Sequence, residues 1–126
     1  MIDRDSYFYH HGNMKLYDAI TAMGALAQES RLTVFRLLVR RGPDGYTPSA
    51  LAEKLGVAAS TLSFHLKELQ RADLIGVRRD GRFLYYTANF PRIDALVAYL
   101  TENCCSLGEG HRDPSSCQPV ARRRRA

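Results

Sequence analysis

The sequence lacks the features that would assign it to a membrane or to secretion. It has no run of about 20 apolar residues, the length that a membrane-spanning helix needs. Its first residues, which include Asp3, Arg4 and Asp5, contain no apolar stretch like that of a secretory signal peptide. We therefore expect a cytoplasmic protein. Its 126 residues, 45% of them hydrophobic, suffice for one small domain with a single core.

The sequence also lacks the usual marks of an enzyme. It offers no nucleophile beside a base, no pair of carboxylates and no glycine-rich phosphate loop. His65 is a candidate for acid–base or metal chemistry, but it lies beside Leu62 and Leu66, where a packed, hydrogen-bonded histidine is usual. We expect no catalytic activity and no cofactor needed for folding.

The net charge of +5 is only weak evidence for nucleic-acid binding. Four of the 18 Lys and Arg residues form the run at 122–125, and the other 14 face 13 Asp and Glu. This arginine tail could clamp DNA non-specifically or could simply be solvated. The informative cations are grouped elsewhere: Lys67, Arg71, Arg78, Arg79 and Arg82.

Residues 47–69 have the pattern of a helix-turn-helix. Thr47 suits an N-cap, Pro48 suits a first turn, and Gly56 suits the left-handed residue that ends a helix. A second helix then begins near Ala58. Its apolar residues recur at i, i+4 and i+7 and predict one buried face: Leu62, Leu66 and Leu69.

The rest of this second helix carries short hydroxyls, cations and one aromatic ring. Such side chains can bond phosphates and base edges in a major groove and contact a thymine methyl group. An ordinary solvated helix face would look similar, and the spacing around Gly56 favours the DNA-reading interpretation. We predict DNA contacts by Ser60, Thr61, Ser63, Phe64, Lys67 and Arg71.

Two short alternating segments follow, at residues 75–79 and 82–87, around Asp80-Gly81. This is a strong sequence signal for a β-hairpin. Arg79 and Arg82 flank its tip, where contact with DNA phosphates is expected rather than base reading.

Three more helices complete the predicted fold. The first has an apolar stripe at Leu16, Ile20, Met23 and Leu26. The second runs from a cap at Ser30 to Arg41 and turns inward Val34, Phe35 and Leu38, before a turn at residues 42–45. The last helix starts at Pro91 with the stripe Ile93, Leu96, Val97 and Leu100. The fold class is thus mainly α with a β-hairpin wing.

Residues 60–69 (STLSFHLKEL), 72–75 (ADLI) and 78–86 (RRDGRFLYY) resemble the arsenical-resistance repressor family, ArsR/SmtB. The resemblance covers roughly residues 16–105. It implies a winged helix-turn-helix repressor that dimerises through its first and last helices and is released from operator DNA by a metal or metalloid. Phe64 departs from the family, in which many members have a polar residue at this position.

All three cysteines follow the last helix: Cys104, Cys105 and Cys117. A cytoplasmic thiol is not expected to form a structural disulfide, and soft thiolates select thiophilic ions. The 11 residues between Cys105 and Cys117 are enough to fold the third sulfur onto the pair. Cys104 alone could be a small core residue. We predict a site for trivalent arsenic or antimony, which the resemblance supports because some arsenic-responsive members carry adjacent cysteines at this helix end.

Several alternatives stay open. A thiol-redox repressor would oxidise Cys104 or Cys105 with Cys117. Zinc sensing in the family uses Asp and His along the last helix, and here Asp94 is present but Leu96 replaces the histidine. A thiol-based arsenate reductase would need an activated thiolate, which the C-terminal end of a helix does not favour. A protein-interaction module of the same fold is a further class.

The chain divides into three predicted parts. Residues 1–14 form an extension that includes His10-His11, residues 15–105 form the DNA-binding and dimerisation domain, and residues 106–126 form a flexible, arginine-rich tail with Cys117.

Overall fold

The computed structural model describes residues 14–108. The histidine pair, Cys117, His111 and the arginine run lie outside the described residues. The elements in chain order are α1 (Leu16–Leu26), α2 (Glu29–Arg41), a 3₁₀ turn (Gly42–Asp44), α3 (Pro48–Leu55), α4 (Ala59–Arg71), β1 (Ile75–Asp80), β2 (Phe83–Ala88) and α5 (Phe90–Thr101). The predicted mainly α fold with a β-hairpin is confirmed. Between residues 14 and 108 no helix is long and apolar enough to span a membrane.

The core lies where α2, α3 and α4 meet. Its largest fully buried side chains are Val34, Leu38, Leu51, Leu62, Leu69 and Leu74. The inward positions predicted for α2 and α4 are therefore confirmed. The cap of α2 is not Ser30 as predicted but Gln28, two residues earlier, because the side chain of Gln28 accepts a hydrogen bond from the Arg31 N–H at 2.9 Å.

Helix α1 has its predicted three turns, and the residues that it buries within this chain are not those of its apolar stripe. Its buried residues are the alanines Ala19 and Ala22. Leu16, Ile20 and Met23 are instead 63%, 55% and 40% exposed. The small alanine side chains let α1 approach the domain closely, and the larger apolar side chains face outward.

The hairpin is shifted slightly from the prediction. Asp80 pairs with Phe83, so the two-residue loop is Gly81-Arg82 rather than Asp80-Gly81. Gly81 has φ +66° at the first loop position, which favours glycine. On its other side β2 joins Tyr46, whose N–H donates to the Tyr86 carbonyl at 3.0 Å and whose carbonyl accepts in return at 2.8 Å.

Helix α5 has Pro91 in its first turn, as predicted, and its cap is Asn89, whose side chain accepts a hydrogen bond from the Arg92 N–H. Leu96 is buried, whereas Val97 and Leu100 are 38% and 56% exposed. Arg92 is unexpectedly buried, and its Nη2 lies 3.9 Å from Asp18 Oδ1 of α1. This ion pair links the first helix to the last.

Candidate nucleic-acid interface and cysteine pair

The connection from α3 to α4 has the geometry that its sequence predicts. The Thr47 hydroxyl oxygen accepts a hydrogen bond from the Ala50 N–H at 3.2 Å and so caps α3. Gly56 ends α3 in the left-handed conformation, with φ +66°, and its N–H donates to the Ala52 carbonyl at 2.8 Å. A Cβ at Gly56 would meet nothing within 4 Å, so the glycine is favoured by its backbone conformation rather than by crowding.

Helix α4 separates its side chains into a buried and an exposed face. Leu62, Leu66 and Leu69 are at most 3% exposed and fix the helix against the core. The six residues that we predicted to contact DNA on this helix are all exposed: Ser60, Thr61, Ser63, Phe64, Lys67 and Arg71. The helix therefore presents hydroxyls, cations and one aromatic ring together on a rigid support.

The cations of this surface differ in how strongly they are engaged. Arg71 forms an ion pair with Glu68, one turn earlier on α4. Lys67 has no such ion pair among residues 14–108. At the hairpin tip, Arg79 donates to the Gly81 carbonyl at 3.4 Å, and Arg82 is exposed in the loop. Lys67 and Arg82 are thus the cations most available to a phosphate.

Arg78, which we grouped with these cations, has a structural role. Its guanidinium donates to the Asp44 carbonyl at 2.9 Å and lies 4.8 Å from the centre of the Tyr85 ring. These contacts brace the hairpin against the turn that precedes α3. No local sequence pattern indicates this role, because Asp44 is 34 residues away along the chain.

Phe64 is the largest apolar side chain on the exposed face of α4. It is 56% exposed, and its ring packs edge-on against His65, with 5.8 Å between ring centres. His65 is 8% exposed, as expected of a packed histidine. The expected hydrogen bond is missing at one nitrogen: Nδ1 is buried without a partner among the described residues.

A cavity of about 310 Å³ lies between α3, α4 and β2. Its apolar floor includes Leu62 and Leu66, and its polar rim includes Ser49, Ser63 and Lys67. We did not predict from the sequence that α3 contributes to this surface through Pro48 and Ser49. The signal was available, since Ser49 lies in the first turn of the first helix of the helix-turn-helix, close to the cap Thr47.

The two cysteines within the described residues follow α5 and are exposed. Their sulfur atoms lie 3.4 Å apart. The alternative that Cys104 is a core residue is wrong: its side chain is exposed, because α5 ends at Thr101 and Cys104 lies beyond the part of the helix that packs on the core. Cys104 is a free thiol, whereas Cys105 is disulfide-bonded. The disulfide departs from the expectation of reduced thiols, since thiol oxidation depends on the redox potential and not on sequence alone.

Between residues 14 and 108 no cluster of three or more His, Cys, Asp or Glu side chains could hold a metal ion. Two of the three predicted thiolate ligands are adjacent, and the third, Cys117, lies outside the described residues. Asp94, the position considered for zinc, is exposed on α5. The three-sulfur site stays a prediction.

Comparison with known proteins identifies relatives of the whole domain. A family model described as a helix-turn-helix domain matches residues 26–78. The chain is 36% identical over 89 residues to the arsenical resistance operon repressor of Bacillus subtilis, covering 68% of this chain and 81% of that protein. It is 30% identical over 80 residues to the nodulation protein NolR of Rhizobium meliloti, covering 64% and 63% of the two chains. The chain spans slightly less than two thirds of the length of NolR and of some other curated relatives.

Among solved structures, the chain is similar to Mb0332 of Mycobacterium bovis, described as a homodimeric winged helix-turn-helix DNA-binding domain and a possible ArsR-family regulator. The TM-score is 0.55 at 25% identity, and the match covers 89% of this chain and 97% of that one. These relatives are regulators and not enzymes, in agreement with the sequence prediction. The similarity to the Bacillus subtilis repressor over most of its length, together with the winged helix-turn-helix fold, shows that the chain belongs to the ArsR family of transcriptional regulators.

Proposed function

We propose that this protein is a dimeric transcriptional repressor that acts in the cytoplasm. It binds operator DNA through α4 and the hairpin and is released by trivalent arsenic or antimony bound to cysteine thiolates. The observation that carries the DNA-binding part is the face of α4, where exposed hydroxyls and Lys67 stand on a helix anchored by three buried leucines. A rigid helix positions such groups for a major groove without a large loss of conformational entropy on binding.

The contacts divide by their chemistry. Ser63 can bond a base edge, and Lys67, which has no ion pair within the described part of the chain, can neutralise a phosphate. Arg79 and Arg82 extend the cationic surface to the hairpin tip, where phosphate contact is the expected role. Arg71 contributes less, because Glu68 already offsets its charge.

Two substitutions test this division. Ser63→Ala should relax sequence preference at one position of the operator. Lys67→Ala should weaken binding to all sequences alike and reduce the slope of log affinity against log salt by about 1. Fluorescence anisotropy at several salt concentrations measures both effects, and Arg40→Ala on α2 is a control for lost positive charge. Unchanged affinity of both variants at every salt concentration would contradict the assignment of α4.

The dimer is supported by the outward-facing apolar side chains of α1 and α5, namely Leu16, Ile20, Val97 and Leu100. Such a surface is costly in water and suits a self-complementary, two-fold interface. A dimer places two copies of α4 on two half-sites about one helical turn, roughly 10 bp, apart or a multiple of it. The homodimeric description of Mb0332 agrees with this arrangement.

The metalloid part is supported by the geometry of Cys104 and Cys105. Their sulfur atoms lie 3.4 Å apart on an exposed segment, so the two side chains can reach one ion together. Thiolates are soft ligands of the kind that thiophilic ions select. The ion would bond both sulfurs once the Cys105 disulfide is reduced, and Cys117 would supply the third thiolate.

The number of arsenic atoms bound per chain tests this site directly. Reduced wild-type protein should bind one arsenic per chain, and Cys104→Ser or Cys105→Ser should abolish binding, because serine supplies no soft thiolate. Cys117→Ser should weaken binding of inorganic arsenite but spare a monomethylated arsenical that needs two sulfurs. Arsenic bound by the Cys104→Ser, Cys105→Ser double variant would refute the site.

A thiol-redox repressor is the second candidate function, and the disulfide at Cys105 favours it. In this case oxidation of Cys104 or Cys105 with Cys117, and not an ion, would release the DNA. Peroxide and arsenite titrations of the same reduced DNA complex distinguish the two, since each predicts release by a different reagent. Zinc sensing has less support, because Leu96 is buried at the position where a histidine ligand would be needed.

A further inference from the structure

Phe64 is an unusual side chain for the position that it occupies. Its neighbours on the exposed face of α4 are hydroxyls and Lys67, yet a phenyl ring stands 56% exposed among them. No buried residue of the core needs this ring, since α4 is anchored by its leucines on the other face. The ring nevertheless has a partner that limits its motion, the edge of His65 at 5.8 Å between ring centres.

The packing against His65 gives Phe64 a fixed direction. His65 is buried, so the contact between the two rings restricts the rotamers that Phe64 adopts. An apolar group held in place loses little conformational entropy when a second apolar surface covers it. The exposed part of the ring can therefore contact an apolar group of a partner with little loss of conformational entropy.

In the major groove, where a recognition helix lies, base pairs offer only one kind of apolar group. The major groove presents hydrogen-bonding atoms at every base pair and a single apolar group, the C5-methyl of thymine. A phenyl ring can neither donate to nor accept from the polar atoms, so covering them would cost free energy. Phe64 consequently favours a thymine and disfavours bases without the methyl group.

We propose that Phe64 is a specificity-determining residue that reads the C5-methyl group of one thymine in each half-site. This inference rests on the proposed DNA-binding function of α4. Lys67 would position the helix by contacting a phosphate, Ser63 would hydrogen-bond one base edge, and Phe64 would select a further base by its methyl group rather than by hydrogen bonding. The same contact should accept 5-methylcytosine, which carries its methyl group at the corresponding edge.

Replacing thymine by deoxyuridine tests the inference, because it removes this methyl group and leaves the hydrogen-bonding pattern unchanged. A duplex selected from a random pool by the full-length wild-type protein serves as the operator, and each thymine is replaced in turn. Replacing the contacted thymine in one half-site should lower the affinity about fourfold, and replacing it in both half-sites should lower the affinity about 15-fold. The Phe64→Ala variant should bind the thymine duplex and the deoxyuridine duplex with equal affinity.

Phe83→Ala provides a matched control, because Phe83 lies on the hairpin and is 55% exposed. This variant should keep the full discrimination between thymine and deoxyuridine. Circular dichroism of each variant checks that an exposed alanine leaves the fold intact. Phe64→Leu retains an apolar side chain and should keep part of the discrimination.

The possible outcomes distinguish a failure of the proposed DNA-binding function from a failure of the proposed role of Phe64. Selection that enriches no sequence would mean that the DNA-binding function itself has failed. Specific binding in which deoxyuridine has no effect at any position, or has the same effect in wild type and Phe64→Ala, would overturn the role of Phe64 alone.

Discussion

The helix-turn-helix with its hairpin and the helices at the two ends of the domain differ in how they bury their apolar residues. We call residues 47–88 the reading module, and α1 and α5 with Cys104 and Cys105 the outer helices. The reading module turns its leucines inward, and Leu51, Leu62 and Leu69 are at most 1% exposed. The outer helices leave Leu16 and Leu100 63% and 56% exposed. The reading module is complete within one chain, whereas the outer helices require a second apolar surface.

The ion pair of Arg92 with Asp18 adds a second contrast. It lies between the outer helices, and the Arg92 side chain is largely buried although Nε has no partner among the described residues. Inside the reading module the charged side chains lie at the surface, as for Lys67 and Arg82. The outer helices are thus joined by a contact that any change in their relative position would alter, and the cysteines stand at the end of one of them.

The largest expected effect comes from the core of the reading module. Leu69→Ala should lower the free energy of unfolding by about 2–5 kcal/mol, because it leaves a cavity at a fully buried position. The same substitution at Leu107, which is 96% exposed, should change it by no more than about 0.5 kcal/mol. Urea unfolding of both variants at one protein concentration makes the comparison, and equal effects would contradict the assigned core.

A substitution on the outer helices should change the affinity of the dimer. Ile20→Glu places a carboxylate on the outward stripe of α1 and should weaken the dimer by about 3 kcal/mol, or roughly 100-fold. Leu32→Glu is the control, because Leu32 lies on α2 and is 44% exposed, close to the 55% of Ile20. Sedimentation analysis over a range of concentrations measures both. If Leu32→Glu dissociates the dimer and Ile20→Glu does not, the interface lies elsewhere.

A smaller effect is expected at the cap of α3. Thr47→Ala removes the acceptor for the Ala50 N–H and should cost about 1 kcal/mol. Ser49→Ala, two residues later, is an exposed control that removes no cap and should be nearly neutral. Thermal unfolding distinguishes the two, and a larger loss from Ser49→Ala would show that the helix is capped differently.

The same contrast explains what could be predicted from the sequence. The reading module follows from local rules: the Thr47 cap, the left-handed Gly56 and the leucine spacing of α4 are all confirmed. The outer helices were predicted as helices, but periodicity cannot tell an apolar stripe that meets its own core from one that meets a second chain. The structure buries Ala19 and Ala22 of α1 instead.

Other features depend on distant contacts and gave no local signal. Glutamine is not a preferred cap, so Gln28 was overlooked in favour of Ser30. The burial of Arg92 depends on Asp18, which is far away along the chain. In the candidate site, the exposed face of α4 was predicted correctly, since it follows from the leucines opposite. The role of Cys117 stays a prediction, because that residue lies outside the described residues.

The proposed function requires that the outer helices control the reading module through the cysteines. An ion can dissociate the DNA complex only if it binds the free dimer more tightly than the DNA-bound dimer, with a coupling of about 1–3 kcal/mol or more. Operator DNA must then weaken arsenite binding by the same factor.

Fluorescence anisotropy of labelled operator, under reducing conditions and with arsenite added, tests this claim most directly. Arsenite should release wild-type protein, and the Cys104→Ser, Cys105→Ser double variant should bind the operator equally well but stay bound when arsenite is added. Full release of the double variant by arsenite, or no release of the reduced wild-type protein, would contradict the account.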